Sequence, residues 1–177
     1  MILPIVKVPA RVLTTPVKKI DKITSKIRKL VQDMEETLQV QTDPEGVGLA
    51  ATQVGFGIAL FIIRPDDTKP ARAFINPEII KIEESTTPTK KSKNKTTLEG
   101  CLSVDRVWSP IVRPQKVLLS YQTLDGKRVE EWFEKFDAVI IQHEVDHLQG
   151  ILFTQRALEQ QRPIFEEREG ELEEVKF

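Results

Sequence analysis

The segment Gln142-His143-Glu144-Val145-Asp146-His147 contains His-Glu-x-x-His, and its histidines are the chain's only two. At about 100° per residue on a helix, His147 lies about 40° round from His143 and one turn further along, with Glu144 flanking the same sector. Two imidazoles so placed can grip one divalent metal ion, while the carboxylate reaches a water without being a ligand itself. Half-buried histidines bonded to their neighbours are the ordinary alternative. Placing both around a glutamate beside Ile140 and Ile141 has little packing rationale, so the metal reading is preferred.

A catalytic metal site wants a third protein ligand and one open position. The metzincin continuation, His-x-x-Gly-x-x-His, is absent, because His147 and Gly150 are followed by Phe153. Glu166, Glu167 or Glu169 could serve in the manner of thermolysin, and would make the chain an endopeptidase, but they stand in a highly charged tail without apolar framing. Cys101, the only cysteine, is the remaining choice, since its thiolate is a strong ligand for iron or zinc. As a small buried hydrophobe it would equally suit a core. A lone cysteine excludes an intrachain disulfide.

The motif needs a helix beneath it and a scaffold around it. Residues 136–148 read as that helix, with an apolar face at Phe136, Val139, Ile140, Val145 and Leu148 and with Gly150 as its C-cap. An amphipathic helix begins with Asp21 as N-cap and carries Ile23, Ile27, Leu30, Val31, Met34 and Leu38, to cover a sheet. Residues 41–57 form an irregular loop with extended pieces. Residues 58–63, 73–76 and 78–82 read as short strands, and 116–123 and 127–133 as a hairpin about Asp125-Gly126. Residues 85–97, with Lys90, Lys91, Lys93 and Lys95, read as a solvated hairpin tip. The tail from Gln155 reads as a helix restarted near Pro163, with seven glutamates from Glu159 to Glu174 against Arg162 and Arg168. The expected architecture is α+β over one domain, 1–177, with antiparallel strands in small sheets around the motif helix and a C-terminal helix.

Composition sets the limits. Of 177 residues, 40% are hydrophobic and 30% charged, which suits one globular domain. The net charge of −1 supplies no field to draw nucleic acid or anionic lipid, so neither is an expected partner. The longest apolar run, 58–63, is far below the roughly 18 residues a membrane span needs. Pro4, Lys7, Pro9 and Arg11 stand where a signal peptide would be apolar, so a cytoplasmic location is expected.

Three stretches in order, Gly46-Val47-Gly48-Leu49-Ala50-Ala51-Thr52-Gln53, Glu99-Gly100-Cys101-Leu102-Ser103 and Gln142-His143-Glu144-Val145-Asp146-His147-Leu148-Gln149-Gly150, resemble the signature motifs of peptide deformylases. Ile2-Leu3-Pro4-Ile5-Val6 is similar too, and the resemblance extends to about Phe153. It implies antiparallel strands wrapped round the histidine helix and one divalent ion, Fe²⁺ with Zn²⁺, Ni²⁺ or Co²⁺ able to replace it, on Cys101, His143 and His147. It implies hydrolysis of the N-formyl group from formylmethionyl peptides and nascent chains, near the ribosome, with release of formate. Glu144 would move the proton, while the Gln53 side chain and the Leu102 N–H would stabilise the oxyanion. The peptide would pair along a strand edge near Gly48, with its methionine in a pocket of Val47, Val139 and Ile140. Asp146 would orient the site by pairing with Arg113.

Some positions depart from the family pattern. Thr52 stands where proline is usual, Asp105-Arg106 where Pro-Gly is common, and Val107-Trp108-Ser109-Pro110 is unusual, which bears on substrate fit at the rim. The acidic tail is a poor electrostatic anchor to a ribosome. An idle metal-binding homologue or a peptide-binding module is the non-enzymatic alternative, against which the presence of both Glu144 and Gln53 argues.

Overall fold

The computed structural model describes residues 1–43, 45–83 and 98–176. Among them, helix α1 spans Ser25–Gln39, followed by strands β1 (Gly48–Ala50), β2 (Leu60–Ile63), β3 (Arg72–Glu83), β4 (Glu99–Cys101), β5 (Val104–Ser109), β6 (Lys116–Gln122) and β7 (Arg128–Glu134). Helices α2 (Lys135–Leu148) and α3 (Phe153–Glu159) and strands β8 (Phe165–Arg168) and β9 (Glu171–Glu174) complete the order. Two antiparallel sheets result, one ordered β1-β2-β3-β6-β7 and the other β4-β5-β8-β9. The architecture is α+β.

Strand β2 shows why the first sheet is a middle layer. All four of its residues are buried, and successive side chains point to opposite faces. Phe61 and Ile63 join Ile141, Val145 and Leu148 of α2, together with Phe74, Leu119 and Phe133, in one core. Leu60 and Ile62 join Leu30, Val31, Met34 and Leu38 of α1 in a second. A strand covered on both faces reads as an unbroken apolar run. A third core joins the second sheet to α3 through Cys101, Val104, Ile111, Phe153 and Ala157.

The elements differ from the sequence expectation in three places. The first helix is capped by Thr24 rather than Asp21. The Asn76 side chain grips both the N–H and the C=O of Ile20 at 2.8 Å, which holds the approach extended and delays the helix. The strands expected at 73–76 and 78–82 are one strand, β3, whose register shifts between Ile75 and Glu78. Pro77 cannot donate to the ladder, and Asn76 takes φ 48° there.

The largest correction concerns the tail. The helix ends at Glu159, and β8 and β9 then form a hairpin, with Phe165 paired to Trp108 of β5. Glu169 and Gly170 both have positive φ, the form of a tight type I′ turn. Pro163 prevents the helix from continuing, and Ile164 is buried against the third core. Residues 85–97 lie outside the described residues.

Candidate active site and metal centre

Helix α2 carries both histidines, and β4 brings Cys101 to them from the other sheet. His147 Nε2 lies 3.2 Å from His143 Nε2 and 3.2 Å from Cys101 Sγ. Cys101 reaches this position because the β4–β5 ladder is irregular: Gly100 pairs with Trp108, but Cys101 pairs with Val104. Among the described residues this is the one grouping of three histidine, cysteine or carboxylate side chains able to hold a metal ion. Glu166, Glu167 and Glu169 lie on β8 and its turn and do not join it.

Glu99, on β4, orients the first histidine. Its Oε1 lies 2.6 Å from His143 Nδ1. Since the carboxylate can only accept, Nδ1 donates, and Nε2 points at the other two donors. Arg113 grips Glu99 through two bonds, at 2.6 and 2.7 Å, and reaches Asp146 at 2.9 Å. Arg156 of α3 closes on the same Asp146 at 2.7 and 3.1 Å. The expected pairing of Asp146 with Arg113 is present, inside a larger alternating chain from His143 to Arg156.

The charges follow from this arrangement. Burial alone would raise the Glu99 carboxyl, but Arg113 and His143 outweigh it and bring it down to about 2. Burial likewise raises the Cys101 thiol, yet His147 and His143 bring it to about 5, so it is a thiolate at neutral pH. Burial opposes a charge on His143, but Cys101 and Glu99 hold its proton more strongly and lift it well above the usual imidazole value. The three-donor corner therefore favours positive charge. The Cys101 thiolate and the Nε2 atoms of His143 and His147 converge on one point. This donor set suits a borderline-soft divalent ion.

Glu144, on the next face of α2, is 3% exposed, and its Oε2 has no hydrogen-bond partner among the described residues. Burial raises its carboxyl to about 7. A Cβ on Gly48 would meet Glu144 Oε1 at 2.4 Å and Ile140 Cγ2 at 2.8 Å, so only glycine lets β1 lie against α2 here. Gln53 is fixed at both ends. Its Oε1 accepts from the Ala50 N–H at 2.9 Å, which turns Nε2 toward Ser103 Oγ and Cys101 Sγ at 3.3 and 3.5 Å.

A cleft of about 1160 Å³ opens over these groups, and Val47, Gly48, Gln53, Cys101, Leu102, Val139, Ile140, His143 and Glu144 all line it. His147 is fully buried behind them. Ile140 serves both the cleft and the first core. Trp108, in the segment expected to bear on the rim, lines the cleft as well, and so do Leu98, Ile111 and Phe136, which were not expected there; of these three only Phe136 carried a sequence signal, one turn before Ile140 on the same helix. The Trp108 ring covers Gly100 so closely that a Cβ on Gly100 would meet it at 2.4 Å. Thr52 is fully buried, and Arg106 takes φ 54°, a conformation better suited to the glycine common there.

Residues 2–163 match the sequence profile of the family described as Polypeptide deformylase. The chain belongs to this family. A peptide deformylase of Psychrobacter arcticus is 36% identical over 186 residues, covering 98% of this chain and 94% of its own length. One from Symbiobacterium thermophilum is 40% identical, covering 97% and 74%. The crystal structure of the Thermotoga maritima peptide deformylase superposes with a TM-score of 0.75 at 33% identity, over 88% of this chain and 97% of that one. That of the Synechococcus elongatus enzyme in complex with actinonin gives 0.75 at 32%, over 87% and 78%. Peptide deformylases are metal-dependent hydrolases that remove the N-formyl group from nascent peptides, and the three deformylase motifs of this chain meet at the cleft.

Proposed function

We propose that in this deformylase Cys101, His143 and His147 hold one divalent ion, that Glu144 moves the proton, and that Gln53 and Leu102 bind the developing oxyanion. The observation that carries the reading is Glu144 itself, a buried carboxylate with an oxygen that has no partner among the described residues, beside three convergent donors. The resident ion is read as Fe²⁺, with Zn²⁺, Ni²⁺ or Co²⁺ able to take its place on the same donors. Once bound, such an ion supplies Lewis acidity, making water acidic at neutral pH and polarising the formyl oxygen.

The protein's own groups account for the remaining steps. Glu144 accepts the proton of the attacking water as a C–O bond forms at the formyl carbon. It returns that proton to the nitrogen as the C–N bond breaks, leaving formate and a free amine. A carboxyl near neutrality suits both tasks. Gln53 Nε2, aimed by the Ala50 N–H on Oε1, and the Leu102 N–H donate to the oxygen as its charge grows.

The substrate lies extended between two sheet edges. Among the described residues β1 pairs only with β2 in its sheet and β4 only with β5, which sets the outer edges of both beside the cleft. Pairing at Gly48 directs the methionine side chain toward Val47, Val139 and Ile140. Nascent chains near the ribosome, in the cytoplasm, are the proposed setting, and residues 1–177 are read as one catalytic domain. No helix among the described residues is long and apolar enough to cross a membrane.

The test is anaerobic purification, determination of the bound metal, and assay of formate release from a formylmethionyl tripeptide by wild type and Glu144→Gln. Metal-loaded wild type should release formate and the variant should not. Absence of release from the loaded wild type overturns the reading.

A further inference from the structure

The two faces of strand β4 look in different directions. Glu99 bonds to His143 and Cys101 reaches His147, so both side chains point toward α2. Gly100 stands between them, and because successive residues of a strand alternate, its own face is the one turned away from the helix. On that face lies Trp108, directly opposite Gly100 in the β4–β5 ladder. Its ring atoms Cζ3, Cε3 and Cη2 come within 2.4, 2.6 and 3.0 Å of where a Cβ on Gly100 would stand. The absent side chain lets the indole lie across β4, and both residues line the cleft.

Packing does not use up the ring, because Trp108 is only half-buried. Glu99 and Arg113, charged side chains that line the same cleft, are nearly buried and paired with each other. What Trp108 offers there is an apolar aromatic plane. A substrate strand laid along β4 alternates as β4 does. With its methionine directed to Val139 and Ile140 of α2, the next side chain points away from the helix, onto the face that carries the indole. Neighbouring strands lie about 4.8 Å apart, within contact of a ring that already spans β4. The third side chain returns to the helix side.

We propose that Trp108 is a specificity-determining residue, an aromatic platform that favours large apolar side chains, aromatic ones most, directly after the formylmethionine. The proposal rests on the placement of the methionine given above. It assigns a task to the stretch Val107-Trp108-Ser109-Pro110, where the chain departs from the family pattern.

Formate release from formyl-Met-Phe-Ala, formyl-Met-Ala-Phe and formyl-Met-Ala-Ala is compared for metal-loaded wild type, Trp108→Ala and Trp108→Phe. Wild type should favour Phe over Ala in second place by about tenfold in kcat/KM, the scale of one added aromatic contact. Trp108→Ala should bring that ratio to within about twofold of unity, while Trp108→Phe keeps most of it. The effect of Phe in third place should be the same in all three proteins. A ratio near unity in wild type, a ratio that survives in Trp108→Ala, or a dependence on Trp108 at third place overturns the proposal. A merely structural role slows all three peptides alike and leaves the ratio standing, which overturns it too.

A second measurement does not need the alanine variant to fold. The chain has two tryptophans, so Trp132→Phe leaves Trp108 as the only indole. Its emission should shift on saturation with the product Met-Phe-Ala and not with Met-Ala-Ala, and equal responses to the two overturn the proposal. Loaded wild type that releases formate from none of the three peptides refutes the deformylase reading itself, whereas equal release from all three refutes only the platform.

Discussion

Gly48 and Glu144 compete for the same space: a Cβ on the glycine would stand 2.4 Å from Glu144 Oε1. The edge strand and the catalytic helix approach as closely as a missing side chain allows. Gly48→Ala should push Glu144 out of line and lower kcat by about a hundredfold, while the change in thermal stability stays within about 2 kcal/mol. Formate release and a thermal melt on the same preparation check both halves.

The carboxyl of Glu144, raised by burial to about 7, should titrate near neutrality in the metal-free protein. Loading Zn²⁺ should move its titration to lower pH, because a nearby positive charge favours the carboxylate. Activity that needs the carboxylate should accordingly fall off on the acid side. Isotope-edited infrared titration with and without metal reads this directly, and an unchanged midpoint would place the ion elsewhere.

Arg113 joins Glu99 to Asp146 with all three side chains nearly buried. Arg113→Ala leaves two buried carboxylates short of a countercharge and should cost about 3–5 kcal/mol in denaturant unfolding. It should also weaken metal retention, since Glu99 would no longer be held against His143. Unchanged metal content in the folded variant would count against that orienting role.

Glu99 also sets a limit in acid. Burial disfavours its charge, yet Arg113 and His143 depress its carboxyl from 4.5 to about 2 in the folded state. A depressed folded value contributes stability that is present above pH 4.5 and is lost as pH falls toward 2, here on the order of 3 kcal/mol. Unfolding free energies across that window should fall less steeply in Glu99→Gln, which starts less stable.

The parts legible in the sequence were those set by neighbours along the chain. Helix α2 announces itself through its apolar spacing and Gly150, β2 through its unbroken apolar run, and the β6–β7 hairpin through Asp125-Gly126. The donor set became legible because histidine and cysteine are so scarce here. Glu99 gave no sign that it holds His143, because that depends on β4 meeting α2, a contact between different parts of the chain. Arg156 was hidden for the same reason, seated on α3 until the fold brought it to Asp146. The hairpin at the tail was obscured by its glutamates, whose abundance speaks of solvent on either a helix or a strand; Phe165 paired to Trp108 decides between them.

The second sheet ends at β9, which on its far side meets no further strand among the described residues. All four residues of that strand are exposed, and three of them are glutamates. An open edge invites another copy to extend the sheet, and two such edges laid together would bring glutamates against glutamates. Like charges set opposite one another should therefore oppose pairing of two β9 edges, and reversing charges on that strand should increase self-association, read by sedimentation.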